Sequence, residues 1–190
     1  VKRVKPGDII AIEPAISCHE CDQCLSGRPH TCRKLRFLGC PGQAEGCLSE
    51  FIVMPEECCF PLTGGLNADH GVLSEPLPIG LYSLKNAGDL RNSRIAILGF
   101  GPVGMSVFLA AKAGGAKTIY VTDKIDARLE IARKEAAIYA GNPLKENITG
   151  ILRQRETLGL DAVFECCGQQ EALDQAVEVL KPGGRLIIAG

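Results

Sequence analysis

The stretch Arg94-Ile-Ala-Ile-Leu-Gly-Phe-Gly-Pro-Val-Gly104 decides the fold of this chain. An apolar strand runs directly into a glycine-rich turn, and Pro102 then opens a run of small residues that predicts a helix ending at Ala113. A second strand is predicted at 118–122. Strand, turn, helix and strand in this order are typical of a parallel sheet with right-handed helical crossovers.

The same alternation continues to the end of the chain. The further predicted elements are a helix at 126–137, a weaker strand and helix within 138–158, a strand at 162–164, a helix at 171–180, a stop at Lys181-Pro-Gly-Gly184 and a strand at 185–188. The sequence therefore predicts an α/β domain at 77–190, with a doubly wound parallel sheet of which five strands are present.

Residues 1–76 are predicted to form a separate and largely irregular domain. Short strands are predicted at 9–12 and 48–54, and a helix from about 70 to 87 leads into the α/β domain. Between the strands, residues 18–47 hold several cysteines, glycines and prolines with little periodicity. This lobe is expected to need a metal ion to hold its shape.

Composition excludes several classes of function. The chain has 190 residues, of which 46% are hydrophobic, and a net charge of −1, which predicts one or two globular domains and no nucleic-acid or anionic-membrane partner. No apolar run approaches the roughly 20 residues that cross a bilayer, and no signal peptide is recognisable. A cytoplasmic location is expected, where the ten cysteines would be metal ligands and buried thiols before disulfides.

The glycine turn is typical of a dinucleotide-binding site. Gly99 permits a tight turn, Gly101 lets the backbone approach a pyrophosphate, and Gly104 lets helix and strand pack closely. Pro102 and Val103 open the helix, whose positive end would face the pyrophosphate. A sheet that binds no nucleotide and a methyltransferase are the alternatives, although a methyltransferase usually carries an acid just before the glycines, where this chain has an apolar residue.

Asp123 ends the next strand about 20 residues further on, where an acid binds the adenosine ribose of a dinucleotide. Its carboxylate would accept hydrogen bonds from the ribose diol and repel the 2′-phosphate of NADP. NAD is therefore the predicted cofactor, although Lys124 beside the acid weakens that preference.

Cys18, Cys21, Cys24 and Cys32 form a C-x2-C-x2-C-x7-C motif. Thiolates at this spacing predict one tetrahedral zinc ion, and four protein ligands leave no position open, so the zinc would be structural. An iron–sulfur cluster, a disulfide or a set of free thiols are the alternatives. Basic residues nearby could offset the negative charge of the site; they are Arg28, Arg33, Lys34 and Arg36. Cysteines elsewhere that adjoin apolar residues are predicted to be buried; they are Cys58, Cys59, Cys166 and Cys167.

Together these features resemble the medium-chain dehydrogenase/reductase family, and within it the zinc-dependent alcohol and polyol dehydrogenases of the sorbitol and threonine type. The resemblance covers essentially the whole chain and implies a Rossmann domain preceded by part of a GroES-like β domain. Besides the cysteines and the glycine turn, the motifs that carry it are Val4-x-x-Gly7-Asp8, Gly46-x-x-Ser-Glu50-Phe, Ser74-Glu-Pro-Leu77, Val121-Thr-Asp123, Phe164-Glu-Cys-Cys-Gly168 and Leu180-Lys-Pro-Gly-Gly184.

The resemblance also implies roles for individual residues. The four clustered cysteines would hold the structural zinc. Glu75 matches the position of the last protein ligand to a catalytic zinc, although it could instead be a helix-start carboxylate favoured by the helix dipole. Arg128 matches a basic position beside the adenosine ribose. Positions that line the dinucleotide groove are matched by Cys166, Cys167, Gly168, Ala189 and Gly190.

The activity implied is the reversible oxidation of a secondary alcohol to a ketone, with zinc and NAD, in a homo-oligomeric enzyme (a dimer or tetramer). The substrate would be a small polyol, sugar or hydroxy-amino acid. Family members are nearly twice as long, and their zinc-binding Cys and Gly-His-Glu motif are absent here, so we expect an internal piece of such an enzyme. It should be inactive alone, because a catalytic zinc needs about three protein ligands. A shortened, non-catalytic zinc- and dinucleotide-binding module and a zinc-free reductase of the same superfamily are the alternatives.

Overall fold

The computed structural model describes residues 2–190, and the chain divides into two compact units, an N-terminal unit ending at Ser74 and a C-terminal unit beginning at Glu75. The N-terminal unit consists of β1 (Ile10–Ile12), β2 (Ala15–Ile16), α1 (Asp22–Leu25), β3 (Arg36–Phe37), β4 (Cys59–Pro61) and α2 (Ala68–Val72). β1 pairs antiparallel with β4, and β2 pairs antiparallel with β3. Ladders of two short strands are only marginally stable, so the lobe between β2 and β3 needs another source of stability.

The C-terminal unit is a parallel sheet covered by helices. Its elements are α3 (Leu77–Ala87), β5 (Arg94–Leu98), α4 (Pro102–Ala113), β6 (Thr118–Thr122), α5 (Asp126–Lys134), β7 (Tyr139–Gly141), α6 (Ile148–Arg155), β8 (Leu160–Glu165), α7 (Gln170–Val179) and β9 (Leu180–Ile188). The five strands lie in the order β7-β6-β5-β8-β9, and all neighbours are parallel. The predicted doubly wound sheet is confirmed. Its switch point lies at the carboxyl ends of β5 and β8, where sheets of this kind bind ligands.

Alternate residues of the central strand face the two sides of the sheet. Ile95 and Ile97 of β5 join a buried cluster with side chains from α3, α4 and α5. Ala96 and Leu98 join a second buried cluster with side chains from α6 and α7. Burial on both faces explains why the strand is apolar after Arg94, its first residue. None of the helices in residues 2–190 is long and apolar enough to cross a bilayer.

The predicted strand at 48–54 is wrong. The structure has an irregular loop there, and no strand among residues 2–190 pairs with it. The side chains of Leu48, Phe51 and Val53 are almost fully exposed. An alternating pattern forms a strand only where a neighbouring strand supplies the ladder of hydrogen bonds, and the pattern itself does not say whether one is present.

The single helix predicted over 70–87 is two helices, α2 and α3, separated by a turn. Pro76 and Pro78 have no N–H group to donate to the carbonyl four residues earlier, so a continuous helix cannot pass through them. Pro78 is tolerated in the first turn of α3, where the N–H group would have no helical partner. α5 is also shorter than predicted and ends at Lys134, because Ala136 adopts a left-handed conformation with φ of +67°.

The helix before residues 181–184 ends at Val179, close to its predicted end, but these residues are part of a strand. α7 is followed directly by β9, which starts at Leu180 and includes this stretch. The pairing with β8 shifts its register here: Leu160 faces Leu180, whereas Ala162 faces Arg185. The glycines and the proline therefore form a bulge inside the edge strand, which is where such residues are tolerated in a sheet.

Candidate functional site

The four cysteines of the predicted metal site come together in the N-terminal unit. Cys18 follows β2, Cys21 precedes α1, Cys24 lies within α1, and Cys32 follows a turn of 3-10 helix at Pro29–Thr31. Their sulfur atoms all lie within 4.8 Å of one another. The short helix places Cys21 and Cys24 on one side, since residues three apart are neighbours on a helical surface.

The spacing of the sulfur atoms fits a zinc ion. Zn–S bonds of about 2.3 Å in a tetrahedron place the sulfur atoms about 3.8 Å apart. The Sγ atom of Cys21 lies 3.6 Å from that of Cys24 and 3.9 Å from that of Cys32. These separations exclude a disulfide bond between them, which would be about 2.05 Å long. The cysteines therefore form a four-sulfur site between β2 and β3.

Backbone N–H groups favour the thiolate form of two of these cysteines. The N–H groups of Cys18 and Lys34 each donate to the Sγ atom of Cys32 at 3.3 Å, and they lower its pKa. The N–H group of Cys24 is the main cause that lowers the pKa of Cys21 to about 6. Burial raises the pKa of Cys24 to about 12, so this thiol keeps a proton that an incoming cation would displace.

The basic side chains near the cluster are engaged elsewhere. Arg33 forms an ion pair with Asp22 at 2.5 Å, and Lys34 forms one with Glu20 at 2.6 Å. Both pairs are exposed on the surface of the lobe. Backbone N–H groups therefore contact the sulfur atom of Cys32 directly. Arg33 and Lys34 hydrogen-bond mainly to carboxylates, but they also interact electrostatically with Cys21, as the sequence suggested.

The glycine turn lies between β5 and α4, at the switch point of the sheet. Gly99 has φ of +95°, and a Cβ atom there would lie 2.8 Å from the Cβ atom of Cys167. A Cβ atom on Gly104 would lie 2.0 Å from the carbonyl oxygen of Gly99. Both positions require glycine because a side chain would collide with neighbouring protein atoms. A Cβ atom on Gly101 would meet only the Arg128 guanidinium, at 3.6 Å, so glycine here keeps open a space that a ligand can enter.

The amino end of α4 faces this turn with free donors. Gly101 precedes the helix and offers no side-chain oxygen, and no side chain of the described chain caps it. Pro102 has no N–H group, and the first hydrogen bond of the helix runs from Met105 N to Gly101 O at 2.9 Å. The N–H groups of Val103 and Gly104 are thus left for a ligand, and the positive end of a helix favours an anion there.

Asp123 connects the glycine turn to the end of β6. The residue is 7% exposed. Its Oδ2 atom accepts a hydrogen bond from Phe100 N at 2.7 Å, and its Oδ1 atom accepts one from Ile125 N at 2.8 Å. The Nη1 atom of Arg128 lies 3.3 Å from Oδ2. Because a carboxylate has about four acceptor sites, about one is left for a ligand hydroxyl.

A cavity of about 370 Å³ opens beside Asp123. With the adjoining glycine turn it is termed the groove. Charged and apolar side chains both line it, among them Lys124, Ile125, Arg128, Pro143 and Glu171. Such a mixture, next to a helix end with free N–H groups, suits a ligand with a flat apolar part and an anionic part.

Cys167 lies in the wall of the groove and is exposed, so its predicted burial is wrong. Although the residue is exposed, its sulfur atom lies 3.0 Å from Glu165 Oε1. The pKa of Cys167 is raised to about 11, mainly by partial burial of the thiol and next by this hydrogen bond. Cys58 and Cys59 are buried as predicted, whereas Cys166 is half-buried.

Two buried polar side chains next to the groove are not among the predicted site residues. Asn142 is 3% exposed, and its Nδ2 atom donates to the carbonyl oxygen of Lys124 at 3.1 Å and to Asp126 Oδ1 at 2.9 Å. Glu165 is 2% exposed and accepts a hydrogen bond from Gly168 N at 2.8 Å. The signal that could have found them is a polar residue at the carboxyl end of a parallel strand.

Glu75 is exposed and lies before α3, apart from any cluster of metal ligands. Among residues 2–190, the four cysteines are the only group of three or more side chains that could hold a metal ion. A catalytic zinc needs about three protein ligands, so within residues 2–190 Glu75 alone could not hold one. The position before α3 agrees with a carboxylate near the positive end of a helix.

Comparison with known proteins relates residues of both units to dehydrogenases. The family pattern described as alcohol dehydrogenase GroES-like domain matches residues 1–64, and the one described as zinc-binding dehydrogenase matches residues 102–190. Sorbitol dehydrogenase of Bacillus subtilis is 35% identical over 194 residues, which cover 100% of this chain and 54% of that protein. The chain spans about half the length of the curated relatives it matches.

Two solved structures show the same fold with a dinucleotide bound. A protein of Sinorhizobium meliloti, described as a zinc-binding dehydrogenase and bound to NADP, is 30% identical with a TM-score of 0.88, over 100% of this chain and 56% of that one. A protein of Escherichia coli, described as a short chain alcohol dehydrogenase and complexed with NADH, is 26% identical with a TM-score of 0.82, over 96% of this chain and 53% of that one.

Proposed function

Because the chain belongs to the zinc-dependent medium-chain dehydrogenase family, we propose that it carries the dinucleotide site and the structural zinc site of an NAD-dependent alcohol dehydrogenase. The proposed reaction of the whole protein is hydride transfer between a secondary alcohol and NAD, with a small polyol, sugar or hydroxy-amino acid as substrate. Similarity to sorbitol dehydrogenase supports this substrate class. A homo-oligomer, dimer or tetramer, is proposed as its assembly.

The groove is the observation that carries this proposal. The pyrophosphate would lie against the N–H groups of Val103 and Gly104, in the space left by the missing side chain of Gly101. The adenosine would occupy the cavity of about 370 Å³ beside Asp123. The bound dinucleotide supplies the hydride acceptor, and the role of this chain is to bind and orient it.

NAD is proposed as the cofactor in preference to NADP because of the charge of Asp123. Its carboxylate is buried beside the groove, so a 2′-phosphate on the adjacent ribose would meet a negative charge that water screens poorly. Its remaining acceptor site would bind a ribose hydroxyl. Arg128 and Lys124 line the same cavity and reduce the penalty for a phosphate without removing it.

The four cysteines are proposed to hold a structural zinc ion. With every ligand supplied by the protein, the ion would have no open position for an alcohol, so its role would be to fold the lobe between β2 and β3. Since the described residues offer at most Glu75 to a catalytic zinc, the isolated chain is proposed to be inactive. Zinc-dependent oxidation of an alcohol by the purified chain would contradict this.

Zinc content and dinucleotide binding of the purified chain test the proposal directly. We expect one zinc ion per chain by elemental analysis and a saturable change in NADH fluorescence on titration. Absence of NADH binding, with binding of S-adenosylmethionine instead, would replace the dehydrogenase site by a methyltransferase site. Bound iron in place of zinc would overturn the assignment of the cysteine cluster.

The mass of the native protein separates the enzyme from the non-catalytic alternative. A native polypeptide about twice the 20.2 kDa of this chain would have room for the rest of a dehydrogenase. A native polypeptide of 20.2 kDa that binds zinc and NADH would be a binding module.

A further inference from the structure

Glu165 is a buried acid that takes no direct part in the proposed binding of the dinucleotide. It ends β8, is 2% exposed, and lies in register with Leu98, the last residue of β5 before the glycine turn. It forms no ion pair with a basic side chain in the described part of the chain. A buried carboxylate without a cation is costly unless hydrogen bonds compensate it. Its donors come from the loop after β8, residues 166–168.

One oxygen atom of Glu165 accepts hydrogen bonds from three donors of this loop. Oε1 accepts hydrogen bonds from the backbone N–H groups of Cys167 and Gly168, both at 2.8 Å, and from the Cys167 thiol at 3.0 Å. The backbone oxygen of Glu165 accepts two more, from Ala189 N at 2.8 Å and Gly190 N at 3.1 Å. A single residue thus ties the loop after β8 to its own strand and to the end of β9.

The loop after β8 packs tightly against the glycine turn. A Cβ atom on Gly99 would lie 2.8 Å from the Cβ atom of Cys167 and 3.0 Å from the carbonyl carbon of Cys166. A Cβ atom on Gly190 would lie 2.4 Å from the backbone nitrogen of Gly168. Because Cys167 also lines the groove, a small displacement of this loop moves the groove wall and the glycine turn together.

We propose that Glu165 is a positioning residue for dinucleotide binding, whose carboxylate holds the loop after β8 in place as a wall of the groove. The inference deepens the proposed function and rests on it. What this role requires is an acceptor oxygen at position 165. A glutamine oxygen could accept the same hydrogen bonds from the N–H groups of Cys167 and Gly168. An alanine could not, and would leave both groups without their partner.

The test compares Glu165→Ala and Glu165→Gln with a matched control, Glu156→Ala. Glu156 is also a poorly exposed carboxylate with partners, since it accepts from Tyr120 OH at 2.6 Å and pairs with Arg94 at 3.3 Å. Arg94 begins β5, so this pair lies at the end of the strand away from the glycine turn. Glu156→Ala thus reports the effect of losing a hydrogen-bonded, poorly exposed carboxylate far from the groove.

The measurements are the Kd of NADH by fluorescence titration and the melting temperature of each variant. We expect Glu165→Ala to weaken NADH binding about tenfold or more, because two N–H groups lose a charged acceptor. Glu165→Gln should remain within about threefold of the unchanged chain. Glu156→Ala should lower the melting temperature but leave the Kd unchanged.

Alkylation of Cys167 by iodoacetamide gives a second readout that needs no dinucleotide. Peptide mass spectrometry follows Cys167, with the exposed Cys47 of the same molecule as the internal reference. In Glu165→Ala the thiol loses its acceptor and the neighbouring negative charge, and the loop loosens, so a larger fraction of reactive thiolate is expected. The rate at Cys167 should rise several-fold relative to the rate at Cys47.

The outcomes separate this inference from the proposed function. If the unchanged chain does not bind NADH, the proposed function fails. The alkylation rates would still show whether Glu165 holds the loop after β8 in place. An unchanged Kd with unchanged Cys167 reactivity in Glu165→Ala overturns the inference, as does binding to Glu165→Gln that is as weak as to Glu165→Ala. If Glu165→Ala does not fold, Glu165→Asp replaces it. Its shorter side chain cannot reach both N–H groups, so the same loss of NADH binding is expected, whereas the alkylation rate at Cys167 should rise less because the negative charge is kept.

Discussion

Gly101→Ala is expected to weaken dinucleotide binding while leaving the fold intact. Gly101 has φ of −75° and ψ of −170°, which any residue can adopt. A Cβ atom there would lie 3.6 Å from the nearest atom, a guanidinium nitrogen of Arg128. Alanine before a helix is less favourable than glycine by about 1 kcal/mol at most. The free energy of unfolding should therefore fall by no more than about 1 kcal/mol.

The same methyl group would stand where the pyrophosphate is proposed to lie. A phosphate oxygen bonded to the N–H groups of α4 sits about 2.9 Å from each nitrogen, and the methyl group prevents that approach. Loss of one charge-assisted hydrogen bond costs about 1.5–3 kcal/mol, which raises the Kd about 10- to 150-fold. NADH fluorescence titration measures the Kd, and thermal melting followed by circular dichroism measures the stability.

Two other glycines serve as controls for this experiment. Gly46→Ala makes the same change with the same clearance, 3.6 Å to the Cα atom of Gly39 in the N-terminal unit, and should alter neither quantity. Gly104→Ala would place its Cβ atom 2.0 Å from a backbone oxygen, so it should destabilise the C-terminal unit and abolish binding together. A Gly101→Ala chain that binds NADH within about threefold of the unchanged chain would refute the proposed position of the pyrophosphate.

Three further predictions concern the zinc, the cofactor and the sheet. Cys24→Ser should abolish stoichiometric zinc by elemental analysis and lower the melting temperature of the N-terminal unit, because the four-thiolate site loses a ligand. Asp123→Asn should shift the ratio of the Kd values for NADP and NAD at least about tenfold toward NADP, since the charge that repels the 2′-phosphate is removed and losses common to both cofactors cancel. Asp161→Asn should lower the melting temperature at neutral pH. Burial raises the pKa of Asp161, but hydrogen bonds from Arg94 N at 2.7 Å and from Lys181 outweigh it and hold the pKa below 3.8. This stabilisation is present above the ordinary pKa and is lost as the pH falls through the folded pKa. The difference in melting temperature should therefore shrink as the pH is lowered below 3.8, and a constant difference would contradict it.

Local signals account for the parts of the fold that were predictable. β5, α4 and β6 have the bounds predicted from the sequence, because an apolar run, a glycine turn and a proline at the first helical position each mark a boundary within a few residues. The clustering of the four cysteines was predictable for the same reason, since a short segment with this spacing can hardly keep their sulfur atoms apart.

Pairing and burial were decided by the tertiary structure. Residues 48–54 have the alternation of a strand but no partner in the described chain. Residues 181–184 have the composition of a turn but form a bulge within β9, between two positions that pair with β8. Cys167 adjoins apolar residues in the sequence yet lies in an exposed wall of the groove. These outcomes depend on which distant segment lies alongside, and that information is absent from a local pattern.

The sequence by itself determined the class of the fold, the cysteine site and the position of the glycine turn. Only the tertiary structure showed that Asn142 donates hydrogen bonds to the segment after β6 and that Glu165 lies level with the start of the glycine turn. The physical reason is that a hydrogen bond between loops at the ends of parallel strands requires those strands to be in register. That register is a property of the assembled sheet, and no single segment of the sequence contains it.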